Sequence, residues 1–368
     1  MIPFTMKNFV IIHTNENDSE RIKKRIFGTI KKVGIVMLKK ELPLKHIKIN
    51  YDPIIDTPLE IIAQYPDLYE QKIAENGIDT IIYDNDISDN VSFYNITYAL
   101  NKDCMMFMNL PLEVARFSIS NMTDYIIQLL EKSYYVQFLC DPYWVSNYVS
   151  YQKEHDEHPM LIYGFDTVNK YFLAQDYFDY KQKTKQLVSF KDIDASYYYS
   201  SFSQRPDEYQ LLNACVLHCS KIVNTKAKEI NCDLIKQSLI NFLNCYPYTK
   251  VETEGIYYGI QFFDILINRY HNDSDYVSLK HCHFILSHIQ LMLQRVKILQ
   301  KNKIASQEEW EFILLPLTEL TKKVSRLELR ILKIRLSGCR FNIPYDLELL
   351  DIKSQYTRII ENIIRVLS

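Results

Sequence analysis

The apolar residues of this chain change their period near residue 200, and that change constrains what it can fold into. Before it, short apolar runs are interspersed with helical patterns. After "FSQRPDEYQ" (202–210), apolar residues recur three and four apart over long segments, the mark of helices that bury one face. Leu279, Cys282, Leu286, Ile289, Leu293 and Val296 form one stripe. "EEWEFILLPLTELTKKVSRLELRILKIRL" forms a second, with a bend expected at Pro316. Ile359, Ile360, Ile363, Ile364 and Leu367 form a third, and strand signals almost vanish. The prediction is an α+β domain over residues 1–200 followed by an all-helical domain over 201–368. Two domains also suit a chain of 368 residues.

Within the first 200 residues, "FVII" reads as a short strand and "SERIKKRIFGTIKKVGIVML" as a helix opening on Asp18 or Ser19, both good N-caps. "DTPLEIIAQYPDLYEQKIAENGI" predicts one or two helices closed by Gly77. "NMTDYIIQLLEKS" predicts an amphipathic helix capped by Thr123 or Asn121, with Ile126, Ile127, Leu129 and Leu130 inward. "YYVQFLC" follows as a buried strand, and "PMLIYGFD" and "KYFLAQDYF" as two strands joined by the short loop "DTVNK".

Composition narrows the function classes. A net charge of −2 gives no electrostatic case for nucleic acid or an anionic membrane. Seven glycines argue against dinucleotide folds and phosphate-cradling loops, which need close backbone approach. The basic run "KRIFGTIKK" is too short to change that and reads as a wet helix face. Eight scattered cysteines, with no signal-peptide pattern at the start, predict free thiols in a reducing cytoplasm. No apolar run approaches the length of a membrane span. The frequent Lys, Ile, Asn and Tyr suggest an AT-rich bacterial genome.

The stretch with chemistry is "HDEHPMLIYGFDTVNKYFLAQD". If His158 starts one strand and Asp176 lies near the end of its antiparallel partner, their side chains can meet. A thiol or hydroxyl nucleophile needs such a base, and the base needs a carboxylate to hold its tautomer. By itself, a His before one strand and an Asp after the next are ordinary residues at strand ends.

That segment resembles the His-to-Asp part of papain-like proteins related to the N-terminal domain of butirosin biosynthesis acyltransferase, and the matching part of bacteriocin-processing cysteine peptidases. The preceding "LLEKSYYVQFLCDPYWV" resembles the helix and strand leading to an Asp-x-Tyr turn in the butirosin-type family. "GIYYGIQFFDILI", "LKHCHFILSHIQLMLQRVKIL" and "LRILKIRLSGCRF" are similar to the helical tail of relatives found with thiotemplated peptide assembly lines. The resemblance implies a papain-like α+β domain, then a helical one, with the site where they meet. It implies acyl or amide transfer: a thioester-bound acyl group, delivered by an acyl or peptidyl carrier protein, moves to the enzyme and then to a small-molecule amine. His158 would be the base and Asp176 its support, with His155 a supporting or surface residue. No metal or organic cofactor is implied.

The family nucleophile is a Cys at the N-terminus of the first helix, where the helix dipole lowers a thiol's pKa. Here no Cys precedes Cys104, and Ser19 stands where the thiol is expected. Ser19 is a hydroxyl nucleophile, a replaced Cys, or only an N-cap, and backbone N–H groups there would supply the oxyanion donor. A chain that kept the fold and lost catalysis would instead serve as a binding or scaffold subunit of an assembly line. Cys140, at the end of the strand before "DPYW", is a weaker nucleophile candidate and an expected substrate contact, as are Tyr143 and Tyr198. Tyr197, Tyr198 and Tyr199 sit at the predicted domain junction, where a cleft could form. Cys104 reads as core. "CVLHCS" and "KHCHFILSH" place Cys and His at helical spacing, read as helix core rather than metal ligands. In the family picture, His281 to Arg295 faces the cleft.

Overall fold

A computed structural model describes residues 38–47, 53–83, 91–93, 103–179, 181–200, 215–246, 255–272, 278–337 and 344–368. The expected strand at residues 9–12, the helix opening at Asp18 or Ser19, and Ser19 itself lie outside these residues.

The fold is mixed α+β, with a seven-stranded antiparallel sheet and helices filling the C-terminal part. The strands in chain order are β1 (Lys39–Glu41), β2 (Thr80–Tyr83), β3 (Val91–Phe93), β4 (Met105–Pro111), β5 (Tyr135–Cys140), β6 (His158–Asp166), β7 (Tyr171–Asp176), β8 (Thr184–Ser189), β9 (Cys215–Ile222) and β10 (Ile256–Tyr258). The large sheet runs β4-β9-β5-β6-β7-β8, with β1 pairing β6 where β5 leaves it free. A small sheet runs β10-β2-β3.

The helices are α1 (Pro53–Ile62), α2 (Pro66–Glu75), α3 (Leu112–Ser118), α4 (Met122–Glu131), α5 (Phe190–Tyr199), α6 (Cys232–Leu243), α7 (Phe262–Asn272), α8 (Leu279–Lys301), α9 (Gln307–Ser337) and α10 (Tyr345–Val366). Asn121, not Thr123, caps α4: its side chain accepts from the Asp124 N–H at 2.8 Å. Pro66 starts α2 separately from α1, and Gly77 past its end adopts φ +73°. Helix α9 runs through Pro316 as one helix.

The helical reading of Cys215–Cys219 is corrected. Those residues form β9, paired with β4 on one side and β5 on the other. Val216, Leu217, Cys219 and Ser220 are all buried, because the strand is covered on both faces. Such a strand shows no alternation, and its spacing mimics a helix. Traffic runs the other way too. Helix α2 and strand β2 pack on the C-terminal helices, and β10 pairs β2. Fully buried Arg295 of α8 donates from Nε to the Ala74 carbonyl at 2.8 Å and from Nη2 to that of Asn76 at 2.5 Å. It thereby satisfies carbonyls at the C-terminal end of α2. His288 is also fully buried. Its Nε2 faces the Ile78 carbonyl at 2.8 Å, so it carries the proton, while Nδ1 meets the Tyr356 hydroxyl at 2.8 Å. Burial depresses its pKa to about 4. This face of α8 is therefore packed against residues 74–78 and α10, and does not line a cleft as the family picture implied.

Candidate functional site

Three strands and one loop assemble the site. In the β5–β6 ladder Cys140 lies opposite His158, and in β6–β7 Leu161 lies opposite Gln175. His158 and Asp176 are thus diagonal neighbours on one sheet face rather than a directly opposed pair. The hairpin pairs Asp166 with Tyr171, so unshifted counting would set Asp176 opposite Leu161; the register shift between Ile162 and Gly164 moves it toward Met160, on the same face as His158. Gly164 is required there. A Cβ at this position would lie 2.6 Å from the Lys40 carbonyl oxygen, because β1 pairs against it. Asp166 closes the hairpin by accepting from the N–H groups of Val168 and Asn169.

His158 Nε2 is 2.9 Å from Asp176 Oδ1, and Asp176 is buried. The Tyr177 N–H also donates to Oδ1, at 2.7 Å, and the Tyr148 hydroxyl donates to Oδ2. Both carboxylate oxygens are therefore held. No described residue hydrogen-bonds His158 Nδ1, and the side chain keeps 22% exposure. Burial opposes protonation of His158, but the hydrogen bond and charge of Asp176, aided by Asp156, outweigh it and raise the pKa above the ordinary histidine value. A histidine held this way can accept a proton at Nδ1 while Asp176 stabilises the imidazolium.

Tyr148 is the residue that sequence reasoning missed. It comes from the loop between β5 and β6, is buried, and packs edge-on to the His158 ring at 6.1 Å. Only its placement eight residues after Cys140 in an aromatic-rich loop hinted at it. Its hydroxyl also lies 3.6 Å from Cys140 Sγ. Burial, with the nearby Asp176 charge, pushes its pKa well up, so it stays a donor.

Cys140, expected as a substrate contact, is an interior residue. Its Sγ donates to the His158 carbonyl at 3.2 Å, and it has no solvent exposure. Burial first, then the Asp176 charge, raises its pKa well above the thiol norm. A neutral, enclosed thiol is a poor nucleophile. Tyr143 stacks on His155 with ring centroids 4.0 Å apart. His155 is anchored in turn, Nδ1 to Oδ2 of the buried Asp141 at 2.8 Å. Asp141 also accepts from the Tyr143 N–H, which builds the 3-10 turn Pro142–Trp144. Tyr198 turns elsewhere, donating to the Ser120 carbonyl at 2.7 Å. Tyr197 is buried, while Tyr199 is exposed beside Trp144. Cys104 is core, as expected.

Fold and site together define an α+β protein whose sheet carries, at one end, a buried carboxylate paired with a half-buried imidazole. No protein-family model matches the chain, and no curated protein matches it. Among the described residues, no helix is long and apolar enough to cross a membrane.

Proposed function

We propose that the protein is a papain-like acyltransferase or amide synthetase of thiotemplated, peptide-type metabolite biosynthesis. His158 is its base, Asp176 the orienting carboxylate, and Ser19 the nucleophile position. The observation that carries this reading is the 2.9 Å His158–Asp176 contact, with no described residue hydrogen-bonded to Nδ1. Ser19 Oγ attacks the thioester carbonyl and passes its proton to Nδ1. The C–S bond breaks, and the departing thiolate takes that proton. The amine then attacks the acyl-enzyme ester, yielding an amide and restoring the hydroxyl. The donor is an acyl or peptidyl carrier protein and the acceptor a small-molecule amine.

A second reading has one observation in its favour: no Cys precedes Cys104, and a hydroxyl in a thiol-type site is a weak nucleophile. On that reading the protein is a binding or scaffold subunit of the assembly line. One experiment separates them. An acyl N-acetylcysteamine thioester and a primary amine are incubated with the full chain, and amide is measured by mass spectrometry. Amide formation lost in Ser19→Ala and His158→Ala supports the enzyme. Amide formation unchanged in His158→Ala would sink it. No product from the wild type, with a Ser19→Cys variant that alkylates with iodoacetamide no faster than a free thiol, leaves the scaffold.

A further inference from the structure

Helix α9 spans 31 residues, about 46 Å at 1.5 Å per residue. One face is buried through Trp310, Ile313, Leu317, Val324 and Ile331. The opposite face leaves large apolar side chains in water: Leu315 at 68%, Leu329 at 64% and Leu336 at 80% exposure, with Phe312 at 69% on its edge. Single exposed leucines need no explanation, but here they recur along one face and the charges among them are sorted. Glu308, Glu311 and Glu319 occupy the first half; Lys322, Arg326 and Lys333 occupy the second, all exposed.

The pattern is self-complementary about Lys322. Leu315 lies seven residues before it and Leu329 seven after. Phe312 and Leu332 are ten away on either side, and Glu311 and Lys333 eleven. We propose that this face is an isologous homodimer interface, in which the α9 helices of two copies pack antiparallel about a two-fold axis at Lys322. Leu315 then meets Leu329 of the second copy, and Glu311 meets its Lys333. A parallel pairing would set acid against acid and base against base, so charge fixes the orientation. At the axis each Lys322 is neutralised by its own Glu319, 2.8 Å away.

Leu329, Leu332, Lys333, Leu336 and Ser337 border a shallow, open patch on this face. Residues at i, i+3, i+4 and i+7 form the hole that accepts one side chain from a facing helix. The register about Lys322 places Phe312 of the second copy over that hole. The pairing of Glu311 with Lys333 across the axis is what selects a second copy of this chain as the occupant.

Sedimentation equilibrium of the full chain tests this. The wild type is expected to be a dimer. Phe312→Ala and Leu329→Glu should each weaken association by about tenfold or more. Glu311→Lys and Lys333→Glu should each shift the protein toward monomer. Combined in one chain they should restore the dimer, because both copies then carry the swap. Circular dichroism confirms that each variant, altered only at exposed positions, remains folded. A monomeric wild type overturns the proposal. So does a dimer indifferent to Leu329→Glu and both reversals, or a double variant no better than the single ones.

Discussion

A buried histidine and a half-buried one in this protein face opposite tasks, and their partners decide which. His288, in the helices, has both ring nitrogens occupied, one by the Ile78 carbonyl and one by the Tyr356 hydroxyl. Burial drives its pKa down to about 4. It is a neutral hydrogen-bonding spacer between a loop and a helix. His158, at the sheet end, has one nitrogen on a carboxylate and the other without a partner among the described residues, and Asp176 lifts its pKa despite the burial. Burial alone is therefore no mark of chemistry. What separates the two is a charged partner on one side and an open nitrogen on the other.

The contrast can be broken from either side. Asp176→Asn should have the largest effect, a loss of roughly 10³-fold or more in amide formation if His158 is the base. Its proton NMR titration should also move downward, since the burial cost remains while the main compensating charge is gone. On the helical side, Arg295→Met strips donors from the Ala74 and Asn76 carbonyls and should cost about 3 kcal/mol in urea unfolding. The His158 titration should not move. If it does, the two regions are coupled and the contrast fails.

Acidity sharpens the comparison. His288 binds a proton more readily unfolded than folded, so it stabilises the native state above the ordinary histidine value. That stability is lost as pH falls toward about 4, by ~3 kcal/mol in all. His158 has the opposite sign. Its raised pKa adds stability below the ordinary value, and this is lost as pH rises through the folded one. Unfolding free energies measured across pH for His288→Gln should lose the acid-side slope; a slope that persists assigns it elsewhere. The smallest effect is expected from Tyr148→Phe. It leaves Asp176 Oδ2 without a donor and should cost about 1–2 kcal/mol. It should also move the His158 titration, which a purely packing role for the tyrosine would leave in place.

Much of this was legible in the sequence where the signal was local. The hairpin, its short loop and the approach of His158 to Asp176 follow from strand alternation and chain reversal. The three long helices follow from their period. The diagonal register was not legible, because it depends on a shift between Ile162 and Gly164 that no local pattern in the sequence marks. Tyr148 was not legible either, since a loop tyrosine carries no period. Strand β9 was misread for a physical reason: covered on both faces, it has no polar side to reveal its pleat.

The place of β9 in the sheet bears on how the protein is made. Its neighbours β4 (Met105–Pro111) and β5 (Tyr135–Cys140) are synthesised well before it, yet the strand that pairs with both is complete only once residue 222 has left the ribosome. A nascent chain paused near residue 200 would present two raw edges to its surroundings, the condition in which chains cross-pair or recruit chaperones.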